Sequence, residues 1–158
     1  MANGAGAGSA KFRVAVRIVV DRPIAQVFGY LSDLRHDPQW WGGVRAAARL
    51  TGDGGVGTVY ELDTVLLGVR DVIRLEVVAQ QPPVTQTITV RQGRLPYTAH
   101  YEWTALEPGR TAFRLVAEVA AVRPWSWLGP LFSPVLSLLA RRYFRRVPAV
   151  IEASVPGG

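Results

Sequence analysis

Residues 13–41, RVAVRIVVDRPIAQVFGYLSDLRHDPQWW, decide the fold. In the first eight, Val14, Val16, Ile18 and Val20 share one face and Arg13 and Arg17 the other. That period of two is the mark of a strand with one side in a core and one in water. Asp21-Arg22-Pro23 ends the alternation. Pro23 suits a first helical position, where a missing N–H costs nothing. Ile24, Val27, Phe28 and Leu31 then recur at helical spacing as a buried stripe. The helix ends at Ser32-Asp33, and a second short turn closes on Trp40-Trp41. Asp37-Pro38 is expected to break the chain there, because the residue before a proline is steered away from helix.

From Val44 onward the pattern is strand after strand: 44–50, 58–67, 69–79, 85–91, 98–106 and 111–122. Turn-length connections join them, so sequential strands pair antiparallel. The loop Gly52-Asp53-Gly54-Gly55-Val56-Gly57 resembles a phosphate cradle, but it lacks a following Lys-Ser/Thr and leads into a strand, not a helix. It is expected to be a hairpin loop whose glycines permit positive φ. The last element starts at Ser133-Pro134, a cap followed by a proline. Leu136, Leu139, Ala140, Tyr143, Val147 and Ile151 would face the sheet, with Arg141, Arg142, Arg145 and Arg146 mostly on other faces. Pro148 kinks that helix or ends its first half. The fold class is α+β: a curved antiparallel sheet of about seven strands wrapped around a long C-terminal helix, with two short helices after the first strand. One domain spans 13–155, and the Gly/Ala/Ser-rich 1–12 reads as a disordered leader.

At 158 residues and 49% hydrophobic content the chain can bury a core without covalent staples. It has no cysteine, which excludes disulfides, thiolate catalysis and cysteine-ligated metals. His36 and His100 are the only histidines and share no metal-ligand spacing, so no metal and no cofactor is expected. The first ten residues lack a signal-peptide core, and Pro130 and Pro134 interrupt the most apolar stretch; a cytoplasmic protein is expected. The net charge of +6 is almost wholly arginine. Basic residues are not interleaved with an exposed aromatic platform, which argues against nucleic acid as a partner.

Strand parity sorts the side chains. Tyr60, Leu62 and Thr64 point inward against Glu61 and Asp63. Val69, Asp71, Ile73, Leu75 and Val77 point inward against Arg70, Arg74 and Glu76. Ile88 and Val90, then Tyr97, Tyr101 and Trp103, then Phe113, Leu115, Ala117 and Val119 complete the inner face. This interior is apolar and aromatic, and Asp71 is its ionisable exception, near the rim. Glu61 and Asp63 share a face in water, which makes them poor candidates for a carboxylate pair of shifted pKa. His36, beside Asp37, is expected as a solvated loop histidine, the alternative being an acid/base at a cavity mouth. His100, on an outward face with Glu102, is expected to make a surface cross-strand contact.

Several short motifs occur in a fixed order: Val20-Asp21-Arg22-Pro23, Val27-Phe28-Gly29-Tyr30-Leu31-Ser32-Asp33, Gln39-Trp40-Trp41-Gly42-Gly43-Val44 and Gly55-Val56-Gly57-Thr58. Val77-Val78-Ala79 before Pro82-Pro83, and Gly109-Arg110-Thr111, follow. Over residues 13–154 this order resembles the START-like, helix-grip (SRPBCC) superfamily, and within it the polyketide cyclase/dehydrase-like group. The resemblance implies a hydrophobic cavity between the sheet and the C-terminal helix, holding a polyketide, lipid or isoprenoid-like molecule. Its walls would be Phe28, Trp41, Tyr60, Ile73, Leu75, Tyr97, Tyr101, Trp103, Phe113, Leu115 and Tyr143. Tyr97, Tyr101 and Asp71 would supply the orienting hydrogen bonds. An alternative is a cofactor-independent cyclase or dehydratase with Asp71 as acid or base and Tyr101 as donor. Aromatase/cyclase members place polar groups inward on the central strands, where this chain has Ile73, Leu75 and Val77. A further alternative is a lipid carrier touching anionic membranes. It would use Trp125, Trp127, Leu128, Leu131 and Phe132 ahead of the arginine-bearing helix.

Overall fold

The structure is a computed structural model that describes residues 11–120 and 129–154. Strand β1 (Lys11–Val20) runs into helix α1 (Ile24–Leu31), a 3-10 turn (Leu34–His36) and the short helix α2 (Asp37–Trp40). Six more strands follow: β2 (Val44–Thr51), β3 (Val59–Leu66), β4 (Val69–Gln81), β5 (Thr85–Gln92), β6 (Tyr97–Glu107) and β7 (Arg110–Ala120). Helices α3 (Gly129–Phe144) and α4 (Val147–Ser154) end the described chain.

The seven strands form one antiparallel sheet in the order β1-β7-β6-β5-β4-β3-β2. β2 through β7 are a meander, as their short connections require. β1 returns to pair with β7 along its whole length, from Lys11 opposite Ala120 to Val20 opposite Thr111. The helical insertion after β1 therefore joins the two edges of the sheet. β1 begins two residues before the alternation marks it, because Phe12 pairs with Val119.

Three local readings are corrected. Asp37-Pro38 does not break the chain: Asp37 is helical (φ −54°, ψ −39°) and opens α2. Pro38 lies in the first turn of α2, where its lost N–H is not needed, and the Asp33 carboxylate caps the preceding turn by accepting the Arg35 N–H at 3.1 Å. Pro23 likewise stands one position earlier than expected, as the N-cap of α1. The last helix starts at Gly129, not at Ser133-Pro134, which leaves Pro134 inside α3. Pro130 supplies the helix start instead. Pro148 does divide the helical end: α3 stops at Phe144 and α4 resumes at Val147, with Pro148 in its first turn.

Inward parity holds along most strands. Tyr60, Leu62, Ile73, Leu75, Val77, Ile88, Trp103, Phe113 and Leu115 are all buried in one core. Val69 departs from it at 52% exposed, because it follows the Leu67-Gly68 turn beyond the core edge. Gln86, one of the fully buried side chains, shares the inner parity of Ile88. Its amide donates to the Ser32 carbonyl (3.0 Å), and its oxygen accepts from Gln80, which also donates to the Gly54 carbonyl (3.0 Å). That chain of amides satisfies the buried glutamine and links the end of α1 to the glycine-rich loop.

The glycine-rich stretch is the β2–β3 hairpin loop, with Gly52, Gly54 and Gly57 at positive φ. Gly52 (φ +88°) has no room as well: an added Cβ would lie 2.5 Å from Thr58 Oγ1. That hydroxyl is engaged, accepting the Gly54 N–H at 2.9 Å. Gly52→Ala is expected to lower stability by about 1–3 kcal/mol in urea denaturation, combining left-handed strain with the Thr58 clash. Gly109→Ala, where nothing stands within 4 Å, serves as the neutral comparison.

Candidate ligand-binding site

The concave face of β6 and β7 presents Tyr101 and Trp103 opposite Leu115 and Phe113. Their rings pack on one another at centroid distances of 5.8 Å (Tyr101–Trp103), 5.6 Å (Tyr101–Phe113) and 5.2 Å (Trp103–Phe113). Helices complete the cluster from two sides. Phe28 of α1 meets Trp103 edge-on at 4.8 Å, and Phe144 of α3 meets Phe113 at 5.9 Å and Trp40 of α2 at 4.5 Å. Trp40 in turn stacks against half-buried Trp41 at 5.8 Å.

The other expected wall residues fall into two groups. Tyr60, Ile73 and Leu75 are buried on β3 and β4, whereas Tyr97 and Tyr143 are half-buried. Tyr143 lies over the α2–β2 loop so closely that a Cβ on Gly42 would stand 2.9 Å from its ring. Phe144, one position along the helix, is the more buried of the two and was absent from the expected stripe. Trp125, Trp127 and Leu128 lie outside the described residues, as do the side chains of Leu131 and Phe132.

Polar groups in this interior are few and poorly partnered. Asp37 is 2% exposed. No described side chain or backbone N–H donates to its carboxylate. Burial pushes its pKa well above the carboxylate range, and the negative charge of Asp33 adds to the effect. Asp33 itself goes the other way: burial opposes its ionisation, but the Arg35 guanidinium, donating Nε–H at 2.9 Å, holds its pKa below the usual range. Two carboxyls four residues apart are thus driven in opposite directions, Asp33 toward the ionised form and Asp37 toward the neutral one. A protonated carboxyl can donate a hydrogen bond.

Three tyrosines feel Asp37. Burial raises Tyr97 and Tyr101, and the Asp37 charge raises both further. Tyr30 is pushed up to about 12 for the same two reasons. All three remain neutral donors at physiological pH. The indole N–H groups of Trp40 and Trp103 are buried without an acceptor. Unsatisfied buried donors are uncommon, because each forgoes its hydrogen bond to water.

Asp71 has a different setting. It is half-buried at the start of β4, opposite Thr64 of β3, and its Oδ2 accepts the Arg94 N–H at 2.7 Å in the β5–β6 loop. Tyr101 lies opposite Gln86 at the other end of β5, whereas Arg74 already faces Gln92. Gln86 also pairs with Gln80 of β4, nine residues from Asp71, so roughly 30 Å of strand separates Asp71 from Tyr101 at a strand's rise per residue. The two are not brought together.

The histidines and surface acids are settled by geometry. His36 is not a solvated loop residue: its ring stacks on Tyr30 at 4.4 Å, and Nδ1 donates to the Tyr30 carbonyl at 2.8 Å. His100 makes its cross-strand contact with Thr87 (3.2 Å). Asp63 and Glu61 pair with Arg70 (2.7 Å) and Arg74 (3.0 Å) on the outer face, as parity requires.

A sheet whose edges are joined by short helices, with a helical C-terminus closing one face, fits the family described as "Polyketide cyclase / dehydrase and lipid transport", which matches residues 11–153. The chain belongs to this family. Its fold is the START-like helix-grip fold. A START superfamily protein from Mycobacterium smegmatis superposes with a TM-score of 0.77 at 15% identity, covering 91% of this chain and 99% of that one. The Zhui aromatase/cyclase from a Streptomyces species does so at 0.69 with 14% identity, covering 92% and 93%. A protein from Thermus thermophilus, TTHA0849, gives 0.77 at 13% identity, covering 91% and 99%. Comparison with curated proteins finds no match.

In the sequence Asp37 stands out only as the residue before Pro38 and beside His36, and neither position reports burial. The signal was present in its spacing: Leu34, Asp37 and Trp40 recur every three residues, on the buried face of a helical turn. Its raised pKa fixes a pH dependence. Above the unfolded carboxylate pKa near 4 the folded state holds a proton that the unfolded chain has released. Stability must then fall as pH rises, until pH passes the raised folded pKa. Asp37→Asn is expected to flatten the urea-midpoint profile above about pH 4, removing a slope of up to about 1.4 kcal/mol per pH unit. The two proteins should converge in stability at lower pH.

Proposed function

We propose that this protein holds a hydrophobic small molecule of the polyketide, lipid or isoprenoid class between the sheet and its helices, with a carbonyl or hydroxyl oxygen directed at Asp37, Tyr97 and Tyr101. The supporting observation is a buried carboxyl to which no described residue donates a hydrogen bond, set among aromatic and aliphatic side chains. A core built only for stability gains nothing from such a group. A ligand oxygen accepting from the neutral acid and the tyrosine hydroxyls would supply the missing partner, and the rings would supply contact area. Family membership, with lipid transport in its description, agrees with this reading.

The test uses a matched pair of ligands, a long-chain methyl ketone and the alkane of equal length, followed by tryptophan fluorescence and native mass spectrometry. The ketone should bind more tightly than the alkane. Asp37→Asn with Tyr97→Phe should weaken the ketone about tenfold, the worth of a lost buried hydrogen bond, and leave the alkane unchanged. Equal loss for both ligands, or no uptake of either, contradicts the reading.

A second reading, acid–base chemistry of the cyclase or dehydratase type, is favoured by the same carboxyl. A neutral acid beside an apolar ligand can protonate a departing hydroxyl, which leaves as water, and the carboxylate so formed can take the α-proton as the C=C bond forms, which restores the acid. Asp37 is better placed for this than Asp71, whose carboxylate already accepts a backbone N–H at the sheet's end. With a β-hydroxy ketone as substrate, Asp37→Asn should abolish water loss and Asp71→Asn should leave it intact; the opposite pattern returns the role to Asp71.

A further inference from the structure

Helix α3 runs beside the edge strand β1, and between them lies an open groove of about 450 Å3. Arg17 of β1, Arg114 of β7, Arg141 of α3 and Arg145 just past its end line it, together with Ala15, Val16 and Ile18 along the β1 edge. None of these four arginines makes an ion pair or side-chain hydrogen bond among the described residues. Elsewhere on the sheet the sequence behaves differently: Arg70, Arg74 and Arg91 each pair with an acid on the neighbouring strand.

Between β1 and β7 the pattern inverts at one position: Arg13 faces Glu118, but the next charged pair is of like charge. Arg17 stands directly opposite Arg114, a like-charge pair that works against strand pairing. Arg141 and Arg145 repeat the conflict one helical turn apart. Glu102 faces Arg114 from β6 and lines an adjoining hollow, yet it forms no ion pair with it. As an edge strand, β1 also leaves half of its backbone N–H groups turned away from β7, on the groove's side. Charge, donors and space therefore converge on a site that only an anion completes.

We propose that this groove binds the phosphoryl head of a phosphomonoester. Guanidinium forks match phosphate oxygens two at a time. A dianion offsets two of the four charges, whereas a monocarboxylate offsets one. The volume exceeds that of bare phosphate and falls within the range of small-molecule sites, roughly 300–1,000 Å3, which leaves room for an organic group along the β1 edge. Arg142 and Arg146, neighbours of Arg141 and Arg145 in the chain, do not line the groove. The site is independent of the interior ligand.

Full-length protein is titrated calorimetrically with glycerol 3-phosphate, and sedimented with phosphatidylcholine vesicles with and without phosphatidic acid, at low salt. R17Q/R145Q is expected to lose about tenfold or more in affinity, as charged hydrogen bonds are removed. R142Q/R146Q, with the same change in net charge, should stay within about twofold because those side chains lie outside the groove. R17K/R145K, which keeps the charge and loses the fork, should fall between. R17Q/R145Q should also melt slightly higher than wild type at low salt without ligand, because like-charge repulsion is relieved; this separates lost binding from lost folding. Groove-dependent binding of glycerol 3-phosphate identifies a soluble phosphomonoester, and groove-dependent binding confined to phosphatidic acid identifies a lipid headgroup. Equal losses in the two glutamine variants, or no binding of either probe, overturn the site.

Discussion

Trp103 and Phe113, opposite each other on β6 and β7, carry the rings to which both helical layers are fastened. Phe28 attaches α1 to Trp103, and Phe144 attaches α3 to Phe113. Trp40 closes the circle from α2 through Phe144. Removing a ring of this size from a packed core costs on the order of 3–5 kcal/mol, so the helices cannot be repositioned without losing a large part of the fold's stability. The same circle holds α2 over the concave face and so determines where Asp37 is buried.

That burial is the costly feature of the structure. The helical turn from Leu34 to Trp40 has two anchors, Leu34 and Trp40, and Asp37 lies between them on the same side. Leucine at this position would avoid the penalty of a polar group without a partner. Two nearby features sharpen the contrast. Asp33 is ionised and neutralised by Arg35, and His36 is occupied by the Tyr30 carbonyl. Asp33 and His36 are thus partnered, whereas among the described residues Asp37 has no donor and the Trp40 indole N–H no acceptor.

Much of the architecture was legible in the sequence because it rests on periodicity. Alternation placed all seven strands to within a few residues, and parity correctly sent Asp63 and Glu61 outward and Trp103 and Phe113 inward. Errors came where two local rules compete. Asp37-Pro38 reads as a break by backbone sterics, but a proline in the first turn of a helix reads as a start, and the Asp33 cap decided for the start. Ser133-Pro134 carried the same ambiguity against Pro130. Gln86 and Asp37 were passed over because polar residues are usually exposed; only tertiary contacts show which polar residue is enclosed. The arginine groove was half visible as a basic helix. Its other half, Arg17 opposite Arg114, depends on the first strand pairing with the last across nearly the whole described sheet sequence.

The central claim is that Asp37 is a neutral acid waiting for a ligand oxygen. Carboxyl carbon NMR on protein labelled at aspartate measures it most directly, with Asp37→Asn for assignment. One resonance should stay in the protonated range at neutral pH, titrate far above the signals of Asp33 and Asp63, and shift when a long-chain methyl ketone is added but not with the matching alkane. An Asp37 signal that titrates with the ordinary carboxylates and ignores the ketone would contradict the account.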